Sequence, residues 1–378
     1  MTELALGNAR IVLADEVITG SVLVRDGVIA DISEGAAAIA EDVEGDFIIP
    51  GLVELHTDHF ENHYHPRPGV VWNAMAALQS HDAQIAGAGI TTVFDAVRIG
   101  SAPGDGDLTD DVNAMISAVS AADAAGRLRA EHRIHLRCEL PTEDVVAHFE
   151  AHFANPLVGL ASLMDHTPGQ RQFTTLSHYC AFYQTRLKLN DAEMAQFIAD
   201  RQAEHDRYAD ANRAAILALG QQIGLAFASH DDATAAHVDE AVLGGMAIAE
   251  FPTTLAAARA SHAAGMAVLM GGPNVVRGGS HTGNVSAVEL ADAGVLDVLS
   301  SDYVPFSLMQ AAFLLPELAS SILLPEAVAM VTRHPAHAAK LDDRGEIAIG
   351  KRADLVRVRR TDPVPVVRGV WRQGQRVS

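Results

Sequence analysis

Histidines and carboxylates recur just past the carboxyl ends of strand-like runs in this chain: His56-Thr57-Asp58, Asp95, Glu139, Asp165-His166, His230-Asp231-Asp232, Asn274 and Asp302. Side chains two apart on a strand share a face, so His56 and Asp58 point the same way. Imidazole nitrogens and carboxylate oxygens at that spacing can grip one Zn, Mn or Fe ion, and an open coordination position would bring the pKa of a bound water toward neutrality. Any one of these residues, taken alone, reads sooner as a helix cap or a solvated loop residue than as a ligand. Five strand ends that each offer a ligand type, in order, are hard to obtain from caps.

The elements that must position these side chains alternate between short apolar runs and Ala-rich helical stretches, the pattern of a parallel α/β domain. The candidate strands are Leu52–His56, Thr91–Asp95, Ile134–Leu140, Leu157–Met164, Leu225–Ser229, Met246–Phe251, Ala267–Met270 and Val295–Ser300. Eight is the number a closed (β/α)8 TIM-like barrel needs, and such barrels carry their chemistry at the carboxyl ends of the strands. Both chain ends instead show β-rich runs and turns: Ala9–Leu13, Ser21–Arg25, the Asp26-Gly27 step and Val28–Ile32 at one end, then Gly345–Gly350, Ala353–Val358 and Val366–Trp371 at the other. The Asp-Gly step predicts a hairpin. The expected division is a small discontinuous β-sandwich domain from residues 1–50 and 340–378, with the barrel over 51–339. A long polar helical piece, Asp191–Ile223, exceeds a normal crossover and is an insertion that could carry substrate contacts or the interface of a homo-oligomer. No repeat at a solenoid period is present.

The 378 residues suit a barrel plus a small accessory domain. A formal net charge of −21 argues against sequence-independent binding to nucleic acid or to an anionic membrane. An anionic substrate must therefore be captured by local arginines. Residues 1–16 lack a basic segment followed by an apolar one, which predicts no signal peptide. The apolar stretch Ala311–Val331 is interrupted by Pro316, Glu317, Pro325 and Glu326 and should not span a membrane. Cys138 and Cys180 are too few for a disulfide framework or a thiolate zinc site, and a cytoplasmic location is expected.

The run Ile48–Asp58 (Ile-Ile-Pro-Gly-Leu-Val-Glu-Leu-His-Thr-Asp) resembles the opening metal motif of the amidohydrolase superfamily, and Gly345–Val356 resembles its closing return into the β-domain. The usual second histidine is replaced by Asp58. That choice is similar to the branch of phosphonate-metabolism diphosphatases acting on α-D-ribose 1-methylphosphonate 5-triphosphate. The stretches His56–Gly69, Ser80–Gln84, Gly89–Asp95, Met164–Phe173, Ala228–Asp232 and Gly271–Asn284 look like the same branch. The resemblance implies metal ligands at His56, Asp58, Glu139, His166 and His230, with Asp302 at the last strand, where the superfamily keeps its proton shuttle. A helix cap before Pro305–Phe313 is the other role open to Asp302. The resemblance further implies a small-molecule substrate, a polyphosphorylated sugar phosphonate, cleaved to a 5-phosphate and pyrophosphate without an organic cofactor.

Many binuclear members bridge their metals with a carbamylated lysine, but the only lysines here are Lys188, Lys340 and Lys351, and none follows a candidate barrel strand. If two metals bind, a carboxylate must bridge them, and Glu139 is the candidate. The glycines of Gly271–Asn284, with Ser280, Thr282, Asn284 and Arg277, form a candidate phosphate cradle. Arg67, Arg171 and His281 are further candidates to hold phosphates or the phosphonate, ranked below the metal ligands because each, taken alone, reads sooner as a surface residue or structural ion pair. His59, His63, His65 and His178 lie near the same motifs and could orient ligands. Two rival functions remain open: hydrolysis of an amide by the same centre, as in a deacetylase or cyclic-amide hydrolase, and a non-catalytic scaffold, which would have lost ligands.

Overall fold

The computed structural model describes residues 3–35, 39–102, 107–172, 176–280 and 283–378. Five strands open the described chain: β1 (Glu3–Val12), β2 (Val17–Arg25), β3 (Val28–Glu34), β4 (Glu41–Asp42) and β5 (Phe47–Pro50). Eight follow with helices between them: β6 (Leu52–Thr57), β7 (Ile90–Ile99), β8 (Glu131–Glu139), β9 (Val158–Met164), β10 (Ala226–His230), β11 (Ile248–Glu250), β12 (Ala267–Gly271) and β13 (Val298–Ser300). β14 (Leu355–Arg359), β15 (Val366–Arg372) and β16 (Gln375–Arg376) close the chain.

β6 to β13 pair in sequence order, all parallel, as the eight predicted runs require. Leu55, Phe94, Leu160, Ala228, Ile248, Leu269 and Val298 come from different strands of this ring and share one buried apolar cluster. The ring closes where Thr57 bridges Asp302 in parallel, with Asp302 N–H donating to His56 O at 3.1 Å and Asp58 N–H to Asp302 O at 3.3 Å. The result is a TIM-like barrel, whose helices lie outside.

The remaining strands form one mixed sheet in the order β16-β15-β14-β5-β1-β2-β3, with β4 beside β1. The predicted hairpin joins β2 to β3, with Asp26 and Gly27 both at positive φ, the backbone a tight two-residue turn demands. Bonds such as Ile29 N–H to Lys351 O at 2.9 Å carry the β3 edge round to the chain's other end. Leu6, Val22, Val24 and Ile29 thereby meet Ile48, Leu355 and Trp371 across one small core. The opposite face of the sheet, through Phe47, Ile49, Val356 and Val358, packs on the barrel helix Ser307–Leu318. Gly51 carries the chain from sheet to barrel; a Cβ there would lie 2.2 Å from Thr91 Oγ1, so only glycine fits.

An ion-pair cluster ties the end segment to the barrel face opposite the mouth. Glu131, first residue of β8, accepts from Arg344 Nη1 at 2.8 Å and Arg352 Nη1 at 2.5 Å. Burial would raise its pKa, but the two guanidinium charges prevail and hold it at about 2 against an ordinary 4.5. Because the folded pKa is depressed, the stabilisation is complete above about pH 4.5 and is lost as pH falls toward 2. The shift corresponds to about 3 kcal/mol at neutral pH. Glu131→Gln should therefore cost about that much in urea unfolding at pH 7, and its gap from the wild type should narrow by about half at pH 3. A gap that stays constant between the two pH values would contradict this.

Candidate metal centre

Several barrel strands deliver polar residues at their carboxyl ends, and three non-glycine residues there adopt left-handed backbone: Asp231 after β10 (φ 56°), Phe251 after β11 (φ 51°) and Asp302 after β13 (φ 54°). Such conformations persist only where surrounding contacts hold them. At Asp302 the contacts are the barrel seam and a clasp beneath it. The fully buried Glu54 carboxylate accepts from His56 N–H at 2.6 Å, Ser301 N–H at 2.5 Å and Ser300 Oγ–H at 2.7 Å. Burial pushes its pKa up to about 7. One side chain thus fixes the backbones that carry His56 and Asp302.

The histidines meet around the mouth. The rings of His56 and His230 stack with centroids 5.7 Å apart, and His166 stands edge-on to His230 at 5.9 Å. The buried Glu250, last residue of β11, lies beneath the first two, with its oxygens 3.1 Å from His56 Nδ1 and 3.1 Å from His230 Nδ1. The hydrogen bond to His230 Nδ1 leaves Nε2 as the ligating atom of that ring, whereas His56 Nδ1 and Glu250 Oε1 make no hydrogen bond. His230 Nε2 and His166 Nε2 lie 3.6 and 4.0 Å from Asp231 Oδ2, beyond hydrogen-bond reach and within the span of ligands around one divalent cation at about 2 Å. His166 Nδ1 is bonded to Glu139 Oε2 at 2.5 Å.

Burial, assisted by Arg137, holds His56 well below its ordinary pKa, and burial takes His230 to about 3 despite Glu250. Both rings are therefore neutral, the form that binds metal. Burial would raise Glu139, but His166 and Arg201 hold it ionised, at about 2. Burial and the neighbouring Asp58 push Asp302 to about 7, and burial takes Asp231 to about 6. Asp58 Oδ1 and Asp231 Oδ2 are buried and accept no hydrogen bond. Buried oxygens without donors beside neutral imidazoles suit a divalent cation.

Of the six ligand candidates, His56, His230 and Asp302 line a cleft of about 180 Å3, with Asp231 and Arg137. His166 and Glu139 adjoin it through His230 and Asp231. Asp58 follows β6 and faces Arg137 at 3.8 Å. Arg277, Ser280 and Asn284 line the same cleft, as do Asn274 and Gln172. Arg67 does not; it is exposed and bridges Val70 in a surface turn. Arg171 is buried in ion pairs with Asp232 and Glu240. His281 and Thr282, and the side chain of His178, lie outside the described residues.

Several expectations need correction. Asp95 is not at a strand end, because β7 runs on to Ile99; it sits between His81 Nε2 and His132 Nδ1, both at 2.7 Å, in a buried network with Asp82. Asp302 is not a helix cap, because the helix begins at Ser307 with Phe306 before it. His59 and His63 bond to Gln84 at 2.8 and 3.0 Å, and His65 to Asp111 at 2.9 Å.

The long helix forms as predicted, over Asp191–Gln222, started by an Asn190/Glu193 capping box. It reaches the carboxyl ends of β8 and β9, bringing Arg201 to 3.5 Å from Glu139 and His205 to 2.7 Å from Asp165, while Asn212 donates to Leu140 O and Thr142 O. Glu54, Glu250, Arg137 and Arg201 escaped the sequence reading. The signal for Arg137 was present, since it precedes Glu139 by two, as His56 precedes Asp58. Glu250 likewise ends a predicted strand.

The model of the amidohydrolase family matches residues 69–378, most of the chain and the whole barrel from before β7 onward. The chain belongs to the amidohydrolase family. Amidohydrolases are metal-dependent, in keeping with the buried groups His56/His230/Glu250 and His166/His230/Asp231 at the mouth. The chain is 48% identical over 375 residues to the α-D-ribose 1-methylphosphonate 5-triphosphate diphosphatase of Escherichia coli (strain K12), an alignment covering 98% of this chain and 99% of that one. Among solved structures, an amidohydrolase from an environmental sample of the Sargasso Sea superposes with a TM-score of 0.66 at 15% identity, covering 100% of this chain and 93% of its own. The 5-methylcytosine deaminase of Klebsiella pneumoniae gives 0.63 at 16% identity, covering 99% and 98%. At those identities the amidohydrolase fold is what is shared. Among the described residues, no helix is long and apolar enough to cross a membrane.

Proposed function

We propose that this amidohydrolase cleaves α-D-ribose 1-methylphosphonate 5-triphosphate to the 5-phosphate and pyrophosphate, a step of phosphonate catabolism. The observation that carries this is the 48% identity to the Escherichia coli diphosphatase, sustained over nearly all of both chains. The barrel over 51–339 carries the reaction, and residues 1–50 with 340–378 form the accessory domain. Divalent cations, of Zn, Mn or Fe, would be held by His56, Asp58, Glu139, His166, His230 and Asp302, with Asp231 adjoining. Bound there, they would supply Lewis acidity, lowering the pKa of water and offsetting phosphoryl charge.

The protein's own groups do the rest. Glu250 fixes the tautomer of His230, and Glu54 fixes the backbones that bear His56 and Asp302. Arg277, Ser280, Asn284 and the adjoining glycines offer donors to the terminal phosphates from one wall of the cleft. The Asp302 carboxylate faces the cleft where it can take the proton of an attacking water and return it to the leaving oxygen.

The test is to incubate metal-loaded protein with the ribose triphosphate and, separately, with N-acetyl amino acids, following pyrophosphate and acetate. Pyrophosphate release is expected. Acetate release without pyrophosphate would reject the substrate assignment in favour of an amide.

A further inference from the structure

Arg137 stands apart from the other arginines of the interior. Arg344 and Arg352 are bonded to Glu131, Arg357 to Asp46, Arg171 to Asp232 and Glu240, and Arg201 to Glu204. Arg137 has no such carboxylate. Its nearest, Asp58, is 3.8 Å away, its Nε is buried without a partner, and its side chain is only 17% exposed. Leaving a guanidinium desolvated and unbonded is costly unless an anion completes it.

The position of that anion follows from the barrel. Arg137 lies on β8, two residues before Glu139 and on the same face, and lines the cleft with His56, His230, Asp231 and Asp302. Arg277 follows β12, four strands away in a ring of eight, so the two arginines rise from opposite walls. A substrate whose terminal phosphates lie at Arg277 presents its reacting phosphorus toward Arg137.

We infer that Arg137 is a catalytic residue that grips the two non-bridging oxygens of the α-phosphoryl group with its forked guanidinium; this rests on the triphosphate reading above. Water attacks the α-phosphorus, the bond to the α–β bridging oxygen breaks, and the electron pair departs on pyrophosphate. The water's proton passes to Asp302. The fork meets the two α oxygens best as they move into the equatorial plane of the in-line transition state, so the grip is tightest there and acts on kcat rather than KM.

The experiment compares Arg137→Ala and Arg137→Lys with the wild type for pyrophosphate release, metal content by mass spectrometry and melting temperature. Arg137→Ala should keep its metal and lose kcat by about 10³-fold with KM little changed, and added guanidinium ion should restore about tenfold of the loss. Arg137→Lys, which keeps the charge but not the fork, should lose kcat by more than about tenfold. The lysine variant also decides the matter if the alanine variant fails to fold. Either variant with kcat within about threefold of wild type, or a loss of kcat matched by a loss of metal, would overturn the assignment. A wild-type protein that releases no pyrophosphate would instead remove the triphosphate reading, and the inference with it, before any variant is made.

Discussion

Asp302→Asn is expected to keep the fold and its bound metal and to lose turnover by about 10³-fold. The substitution changes one oxygen to an amide nitrogen. The barrel seam survives, because it is made by the Asp302 backbone, through His56 O and Asp58 N–H. One side-chain oxygen also survives to face the centre. What is lost is a base that can accept the proton of the attacking water and give it back. Turnover and metal content measured on the same preparation separate the two roles: loss of both would make Asp302 chiefly a ligand, and near-normal turnover would remove it from proton transfer.

Glu139→Gln should act at the opposite end, by weakening metal binding at least about 100-fold in chelator competition. It should also destabilise the protein by about 3 to 5 kcal/mol. Both effects have one cause. The carboxylate is fully buried against His166, 2.5 Å from its Nδ1, and against Arg201, 3.5 Å away, so removing its charge would take a ligand from the proposed cation and leave the His166 and Arg201 charges with less compensation. Glutamine keeps the shape and one acceptor oxygen, so the loss reads charge rather than packing. Unchanged metal affinity in this variant would contradict its place at the centre.

Much of this architecture was legible in the residues. The eight apolar runs became the eight barrel strands, and the Asp-Gly step became a turn. These are local signals, set by strand pleat and turn chemistry. His56 lines the mouth, whereas Asp58 lies just past β6 where the next helix begins, 3.8 Å from Arg137. Glu54 was hidden because a carboxylate within an apolar strand carries no local sign of its partners, Ser300 and Ser301, nearly 250 residues away. Arg171 proves to be the structural ion pair that was its other reading, but its partners Asp232 and Glu240 reach it only through the fold and could not be named in advance. Asp95 was misplaced by a boundary: β7 continues four residues beyond it, which turns a supposed mouth residue into the hub of a buried histidine network. Arg201 sits on a helix whose polar face gives no hint that one side chain is buried beside Glu139.

The most direct measurement is hydrolysis in water enriched in oxygen-18. Attack at the α-phosphorus by a water at the barrel mouth predicts one labelled oxygen in the ribose 5-phosphate and none in the pyrophosphate. Label found in the pyrophosphate would mean that the β-phosphorus is attacked, and the positions given to Arg137, Arg277 and Asp302 around the reacting bond would be wrong.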